Sequence, residues 1–167
     1  MKTLTLVRHA KSDWGHAGLL DIDRPLSQRG YDDAYAMSAW FKEHFPIPEL
    51  MVTSTAIRNL STSFIFARQL GYDETRVSPV PAIYECRDKV LLDIIAGFDN
   101  AYKDIMLFAH NATITNVCNE LSSDLFFEDL PTCAVVRLDF DIKNWQQTQT
   151  TKGKTVAHRF PKNFRQD

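Results

Sequence analysis

The sequence predicts an α/β fold of three αβα layers, with a mostly parallel central sheet and helices on both faces. Three observations carry this. Short apolar runs that stop abruptly alternate with longer segments whose apolar residues recur three and four apart. The two strongest runs each end on a histidine, His9 and His110. No internal repeat, low-complexity tract or linker rich in Pro, Gly and Ser divides the 167 residues, so 1–167 reads as a single domain.

The first run lies in TLTLVRHAKS, Thr3 to Ser12, where Leu4, Leu6 and Val7 give way to Arg8-His9. This is the pattern of a buried strand that delivers an arginine and a histidine to its C-terminal end. Asp13 to Arg24 is polar and irregular, holds Gly15 and Gly18 and ends at Pro25, as a loop over the sheet edge would. Ser27 precedes a first helix, marked by Tyr31, Ala34, Tyr35, Ser38, Ala39, Phe41 and Phe45 and closed by Pro46 and Pro48. Leu50 to Val52 forms the second strand, and Ser54 can cap the helix after it. In that helix Ile57, Leu60, Phe64, Ile65, Ala67 and Leu70 share a face, and Gly71 supplies the stop. A third strand is expected near Arg76 to Val80; the chain then crosses Tyr84-Glu85 into a third helix from Asp88 to about Phe98. Asp104 to Ala109 is the second strong strand, and Asn111 can cap the helix carrying Ile114, Val117, Cys118 and Leu121. Cys133 to Phe140 and Thr155 to Phe160 close the sheet, the latter at an edge.

Composition narrows the function classes. The 44% hydrophobic fraction is that of an ordinary globular chain, and a net charge of −2 gives no basic signature for nucleic acid or anionic membrane. No apolar run reaches the length of a membrane span, and Met1-Lys2 leads into a strand without signal-peptide architecture, so a soluble, cytoplasmic protein is expected. Cys86, Cys118 and Cys133 are odd in number and lack CxxC spacing, which fits buried or incidental thiols rather than a disulfide framework or a thiolate zinc site. His16, His44 and His158 have no partners at metal-ligand spacing, so no metal or other cofactor is expected.

In a parallel sheet the strand ends share one rim, where ligands bind. Arg8-His9, Arg58 and His110 follow three of the predicted strands and converge there. Two arginines and two histidines suit a dianionic phosphoryl group, whose spread charge needs fixed donors. Helix starts near Ser54 and Asn111 would add backbone N–H groups. Each residue alone has a plainer reading. His110 could be a satisfied core histidine and Arg58 an exposed salt-bridge partner. Arg24 and Arg29 are expected to hold the loop to the first helix through Asp21, Asp23 or Asp32 rather than to bind phosphate. Trp14, Tyr84 and Phe126-Phe127 could line a groove or fill the core; Thr132 could reach the site or serve a turn. Ser12 could hydrogen-bond near the phosphate. Lys152, Lys154, Arg159, Lys162 and Arg165 make a basic C-terminal stretch whose default is a solvated tail.

RHAKS (Arg8 to Ser12), DIDRPLSQRG (Asp21 to Gly30), STAIRNLSTS (Ser54 to Ser63) and FAHNATI (Phe108 to Ile114) stand in the order and spacing of one family. The chain resembles the histidine phosphatase superfamily, of phosphoglycerate-mutase-like fold, over roughly Met1 to Phe140. Its shortness and the RPLS-x-RG element look most like the small SixA-type phosphohistidine phosphatases. The resemblance implies that His9 is the nucleophile, transiently phosphorylated, and that Arg8, Arg58 and His110 bind the phosphoryl group, with Ser12 and Asn111 beside it. Glu85 falls near the acidic proton donor of many members, a position that SixA-type proteins often leave without a clear acid. Ala109 and Ala112 flank the second histidine motif where the family commonly reads Gly-His-Asn-Pro, and Asn59-Leu60 replaces a small residue. These departures touch local backbone shape and spare the charged groups. Short segments between the motifs suggest an open, shallow site, hence a phosphohistidine on another protein as substrate. The alternatives are a small phosphoester and a non-catalytic phosphoprotein-binding module.

Overall fold

The computed structural model describes residues 1–164. Strands β1 (Lys2–Arg8), β2 (Leu50–Thr53), β3 (Ser78–Pro79), β4 (Asp104–Ala109), β5 (Val135–Phe140) and β6 (Lys154–Arg159) form one sheet in the order β3-β2-β4-β1-β5-β6. The pairings among β1 to β4 are parallel, while β5 runs antiparallel to β1 and β6 to β5. Helices α1 (Gln28–His44), α2 (Ile57–Leu70), α3 (Asp88–Ala96) and α4 (Thr113–Leu121) make the crossovers. This is the three-layer, phosphoglycerate-mutase-like arrangement that the sequence predicts.

The apolar runs are continuous because both faces of the sheet are covered. Along β4, Ile105, Leu107 and Ala109 join Leu91 and Ile95 of α3 and Val117 and Leu121 of α4 in one core. Met106 and Phe108 point the other way, into a core with Met37 and Phe41 of α1 and Ile65 and Phe66 of α2. Burial on each side thus follows the two-residue period of the strand.

Two local devices fix the start of α1. The Ser27 hydroxyl accepts the Gly30 N–H at 3.1 Å, a cap worth about 1 kcal/mol. A Cβ on Gly30 would lie 2.1 Å from the Lys11 carbonyl oxygen, so only glycine lets the strand-end loop lie against the helix. At the end of α2, Gly71 takes the left-handed φ of 79° expected of a helix stop.

Several boundaries differ from the sequence reading. Neither Ser54 nor Asn111 is a cap: α2 and α4 start behind Ala56 and Ala112, without a side-chain capping bond. Their side chains are engaged with the strand-end rim instead. The third strand shrinks to Ser78–Pro79 because Glu74–Arg76 forms a 3-10 turn, with the Asp73 carboxylate accepting from the Thr75 N–H. Helix α3 ends at Ala96, before Gly97. Cys133 lies outside β5, its φ of 61° turning the chain before Val135. Lys154 and Arg159 belong to edge strand β6 rather than to a tail, and Arg165 lies outside the described residues. Among the described residues no helix is long and apolar enough to cross a membrane.

Candidate active site

The parallel strands end on one rim, and His9 stands at its centre, one residue past β1. Its backbone is held on both sides: the His9 N–H donates to the Ala109 carbonyl at 3.2 Å and its carbonyl accepts from the Cys133 N–H at 3.0 Å. The next residue is tied to α2, the Ala10 N–H donating to Thr62 Oγ1 at 3.0 Å. The His9 ring is 2.7 Å from the Ala10 carbonyl oxygen through Nδ1. A carbonyl only accepts, so Nδ1 donates, and a neutral ring is left with its lone pair on Nε2.

The ring is neutral for a physical reason. Burial pushes the His9 pKa down to about 3; the Ala10 carbonyl opposes this, while His110, Arg58 and Arg8 push the same way. Burial is the largest of these causes. His110 follows β4, its ring 5.5 Å from that of His9, and Nε2 shares a 2.6 Å hydrogen bond with Ser54 Oγ. Burial and Arg58 lower its pKa to about 4. Ser54, expected as a helix cap, therefore orients the second histidine.

Arg8 donates from Nη1 to the Leu130 carbonyl at 2.7 Å, and burial lowers its pKa. Arg58, the second residue of α2, is 6% exposed, which sets aside the reading of an exposed surface partner. It donates from Nη1 to the Asp21 carbonyl at 2.7 Å and from Nη2 to Asp21 Oδ2 at 3.0 Å. Arg8 Nε and Arg58 Nε are buried without a partner, two orphan donors on residues that border the His9 cavity. Asn59, the family departure next to Arg58, is fully buried and donates to the Ala109 carbonyl at 3.1 Å, tying α2 to the end of β4.

Asp21 is the member that the sequence reading placed elsewhere. Besides Arg58 it takes Arg24 Nε at 3.1 Å, as expected of a loop clamp, and the Tyr84 hydroxyl at 2.6 Å. The Tyr84 bond and the two arginines hold its carboxyl down to about 2, against a smaller opposing effect of burial. Tyr84, with its pKa raised to about 12 by burial and by Asp21, stays a phenol and sets its ring edge-on to His110 at 5.6 Å. Arg24 also donates from Nη1 to Ser12 Oγ at 2.6 Å and lies under Trp14, 3.5 Å from its ring centroid. Arg29 pairs with Asp33, at 3.7 Å, rather than with the loop.

These residues border two adjoining cavities. One, of about 270 Å³, is lined by Arg8, His9, Lys11, Ser12, Trp14, Arg24, Arg58, His110, Asn111 and Thr132. The other, of about 310 Å³, is lined by Asp21, Arg58, Ile83, Glu85, Cys86, Ala109, His110, Asn111 and Thr113. Arg58, His110 and Asn111 are the wall between them. Of the residues singled out in the sequence, Arg8, His9, Ser12, Arg58, His110 and Asn111 therefore share one cavity, while Glu85 belongs to its neighbour. Asn111 is anchored from both ends, accepting from Thr115 Oγ1 at 2.5 Å and donating to Asp129. His16, His44 and Phe126 lie away from both cavities.

Comparison with known proteins agrees with this geometry. The model of the histidine phosphatase superfamily, branch 1, matches residues 4–91. An uncharacterized chloroplastic protein of Arabidopsis thaliana is 28% identical over 160 residues, covering 91% of this chain and 72% of that protein. Among solved structures, SixA from Agrobacterium tumefaciens superposes with a TM-score of 0.81 at 24% identity, over 96% of this chain and 98% of that one. The protein histidine phosphatase SixA complexed with tungstate gives 0.82 at 18% identity, over 98% and 99%. A mycobacterial glucosyl-3-phosphoglycerate phosphatase bound to VO3 gives 0.69 at 13%, over 94% and 98%. At these identities the structural likeness speaks to the fold.

Proposed function

From the premise that this chain belongs to the histidine phosphatase superfamily, we propose that it is a phosphatase working through a covalent phosphohistidine on His9, with protein-borne phosphohistidine as its substrate. The observation that carries this reading is the state of His9: a buried neutral ring, Nδ1 tied to the Ala10 carbonyl, facing a cavity shared with Arg8, Arg58 and His110. A binding module needs the cations but has no use for a pre-set nucleophile.

In this reading the Nε2 lone pair attacks phosphorus while the bond to the leaving atom breaks and its electron pair departs with that atom. Arg8 and Arg58 hold the phosphoryl oxygens, and their orphan Nε donors give two fixed hydrogen bonds to developing charge. Water then attacks the phosphohistidine, phosphate leaves and His9 returns neutral. Ser12 Oγ accepts from Arg24, and Asn111, held by Thr115 and Asp129, keeps its second amide N–H for a phosphoryl oxygen. With two guanidiniums neutralising the charge, no step calls for a metal. Trp14, exposed and bordering the cavity, offers a contact for a protein that carries the phosphoryl group.

The test is phosphate release in chelator, without added metal, from a phosphohistidine-bearing carrier protein and from a generic phosphomonoester, for the wild type and His9→Ala. Preference for the carrier, abolished in His9→Ala while vanadate still binds, is expected. Retained turnover in His9→Ala rules out the nucleophile; preference for the ester points to a small-molecule phosphomonoesterase; silence on both points to a binding module.

A further inference from the structure

The two adjoining cavities differ in charge. Arg8, Lys11, Arg24 and Arg58 line the one that holds His9. On the far side of the shared wall the ionised side chains, apart from Arg58, are the carboxylates of Asp21 and Glu85. Arg58 borders both, is 6% exposed and keeps its buried Nε without a partner. Glu85 is exposed and held at a φ of 52°, a left-handed conformation uncommon for a glutamate and frequent at functional sites. Next to it, Tyr84 donates its hydroxyl to Asp21 at 2.6 Å and turns its ring against His110.

We propose that the second cavity is the leaving-group subsite, and that Asp21 and Glu85 select a nitrogen leaving group bearing a proton, such as an imidazole, over leaving groups that carry negative charge. This rests on His9 being the nucleophile. Transfer of a phosphoryl group is close to in-line, so nucleophile and leaving group stand on opposite sides of the plane held by the equatorial donors. Here Arg58 and His110 border both cavities and stand between His9 on one side and the carboxylates on the other. When the substrate is a phosphoimidazole protonated on its second ring nitrogen, attack by His9 breaks the P–N bond. The bonding pair moves onto the ring nitrogen that held phosphorus. The ring departs as neutral imidazole, its other nitrogen keeping its proton, so no acid has to act during the step. A carboxylate beside that second nitrogen favours the protonated, reactive form. A leaving group with its own carboxylate meets two like charges instead. The aromatic edge of Tyr84 and the apolar Ile83 suit a flat ring.

Asp21 also fixes Arg58, so Glu85 is the cleaner probe. Steady-state turnover of three substrates differing in leaving-group charge, N-phosphoimidazole, phenyl phosphate and 4-carboxyphenyl phosphate, is compared for wild type, Glu85→Gln and Glu85→Lys. For Glu85→Lys, kcat/KM is expected to fall about tenfold on phosphoimidazole and to rise on both esters, whose oxygen departs with the bonding pair as a phenolate, by about tenfold on the carboxyphenyl ester and by less on phenyl phosphate. Glu85→Gln should move them in the same directions by less. A variant that lowers all three equally, or leaves the ratios unchanged, overturns the subsite and leaves the nucleophile reading intact. A wild type that turns over the phosphohistidine carrier but none of the three overturns the subsite alone, and one silent on the carrier as well overturns the phosphatase reading and the subsite with it. Since Glu85 is exposed and makes no hydrogen bond or ion pair with the described residues, both variants are expected to keep the wild-type thermal midpoint, which checks the fold.

Discussion

Two buried arginines, each paired with an aspartate, lie at opposite ends of the same sheet. At the start of β4, Arg137 grips Asp104 with two bonds, at 3.1 and 2.7 Å, donates to Thr5 Oγ1 at 2.9 Å and lies 5.0 Å from the Phe45 ring centroid. At the other end Arg58 holds Asp21. The arginines are equally enclosed, with side chains 8% and 7% exposed, but the aspartates are not: Asp104 is 15% exposed and Asp21 41%. The carboxyl groups respond in opposite directions. Burial raises the Asp104 pKa in spite of Arg137, whereas the Tyr84 bond and the arginines lower that of Asp21 to about 2. The same ion pair is a sealed strut where packing closes it, and where one side opens on a cavity it is the pair that the proposed function puts to work. Enclosure, more than pairing, separates the two roles.

The sharpest way to break that comparison is to remove each arginine. Arg58→Ala should lower kcat/KM by about 10³-fold, roughly 4 kcal/mol of lost transition-state stabilisation, with a smaller loss of thermal stability than its counterpart. Arg137→Ala leaves Asp104 uncompensated and should cost about 3–5 kcal/mol, seen as a fall in Tm of roughly 10 °C, while activity per folded molecule is preserved. Replacing both Arg137 and Asp104 by apolar residues of similar volume should recover most of that loss. If Arg58→Ala unfolds the protein as readily as Arg137→Ala, or if Arg137→Ala is the less active enzyme, the division fails.

Acid sharpens the contrast next. The pKa values of His9 and His110 lie at about 3 and about 4, below 6.5, so the unfolded chain binds protons that the folded chain refuses. Their contribution to stability is complete above pH 6.5 and is lost as pH falls from there toward 3. Asp21 stays ionised through the same window. The measured Tm should therefore decline between pH 7 and pH 4, with a shallower slope in His110→Gln, and kcat/KM should show no acid limb near 6.5. An acid limb at 6.5 would mean that His9 titrates like a free imidazole. The smallest effect is expected of Trp14→Ala, which removes a cation–π contact worth about 0.5–1 kcal/mol from Arg24. The fall in kcat/KM on a small ester should be about fivefold or less.

Much of this was legible from residues alone. The abrupt end of an apolar run at Arg8-His9, repeated at Ala109-His110, locates the rim, and the second of the three helical segments between them supplies Arg58. Periodicity placed the helices because each buries one continuous face. Ser54 reads as a cap because a short polar side chain near a helix start has the same sequence signature whether it caps a backbone or reaches a side chain far along the chain, and the Asp21–Arg24 clamp is as expected while the bond from Asp21 to Arg58, 37 residues away, has no local signal. Thr62 gave no signal at all, since its contact with Ala10 spans 52 residues. Glu85 borders the cavity next to that of His9, and spacing along a chain does not say which of two adjoining cavities a side chain borders.

The rim draws on β1, on the loop at Asp21, on α2, on the turn at Tyr84 and on the end of β4, so that every crossover between β1 and β4 lends it a residue or fixes one in place. No fragment of the chain contains it. An oxyanion that needs Arg8, His9, Arg58 and His110 together therefore binds the native state alone, and by mass action a phosphate mimic at a hundred times its Kd would add about 2.7 kcal/mol to global stability. In this topology ligand occupancy and folding are two readings of a single equilibrium.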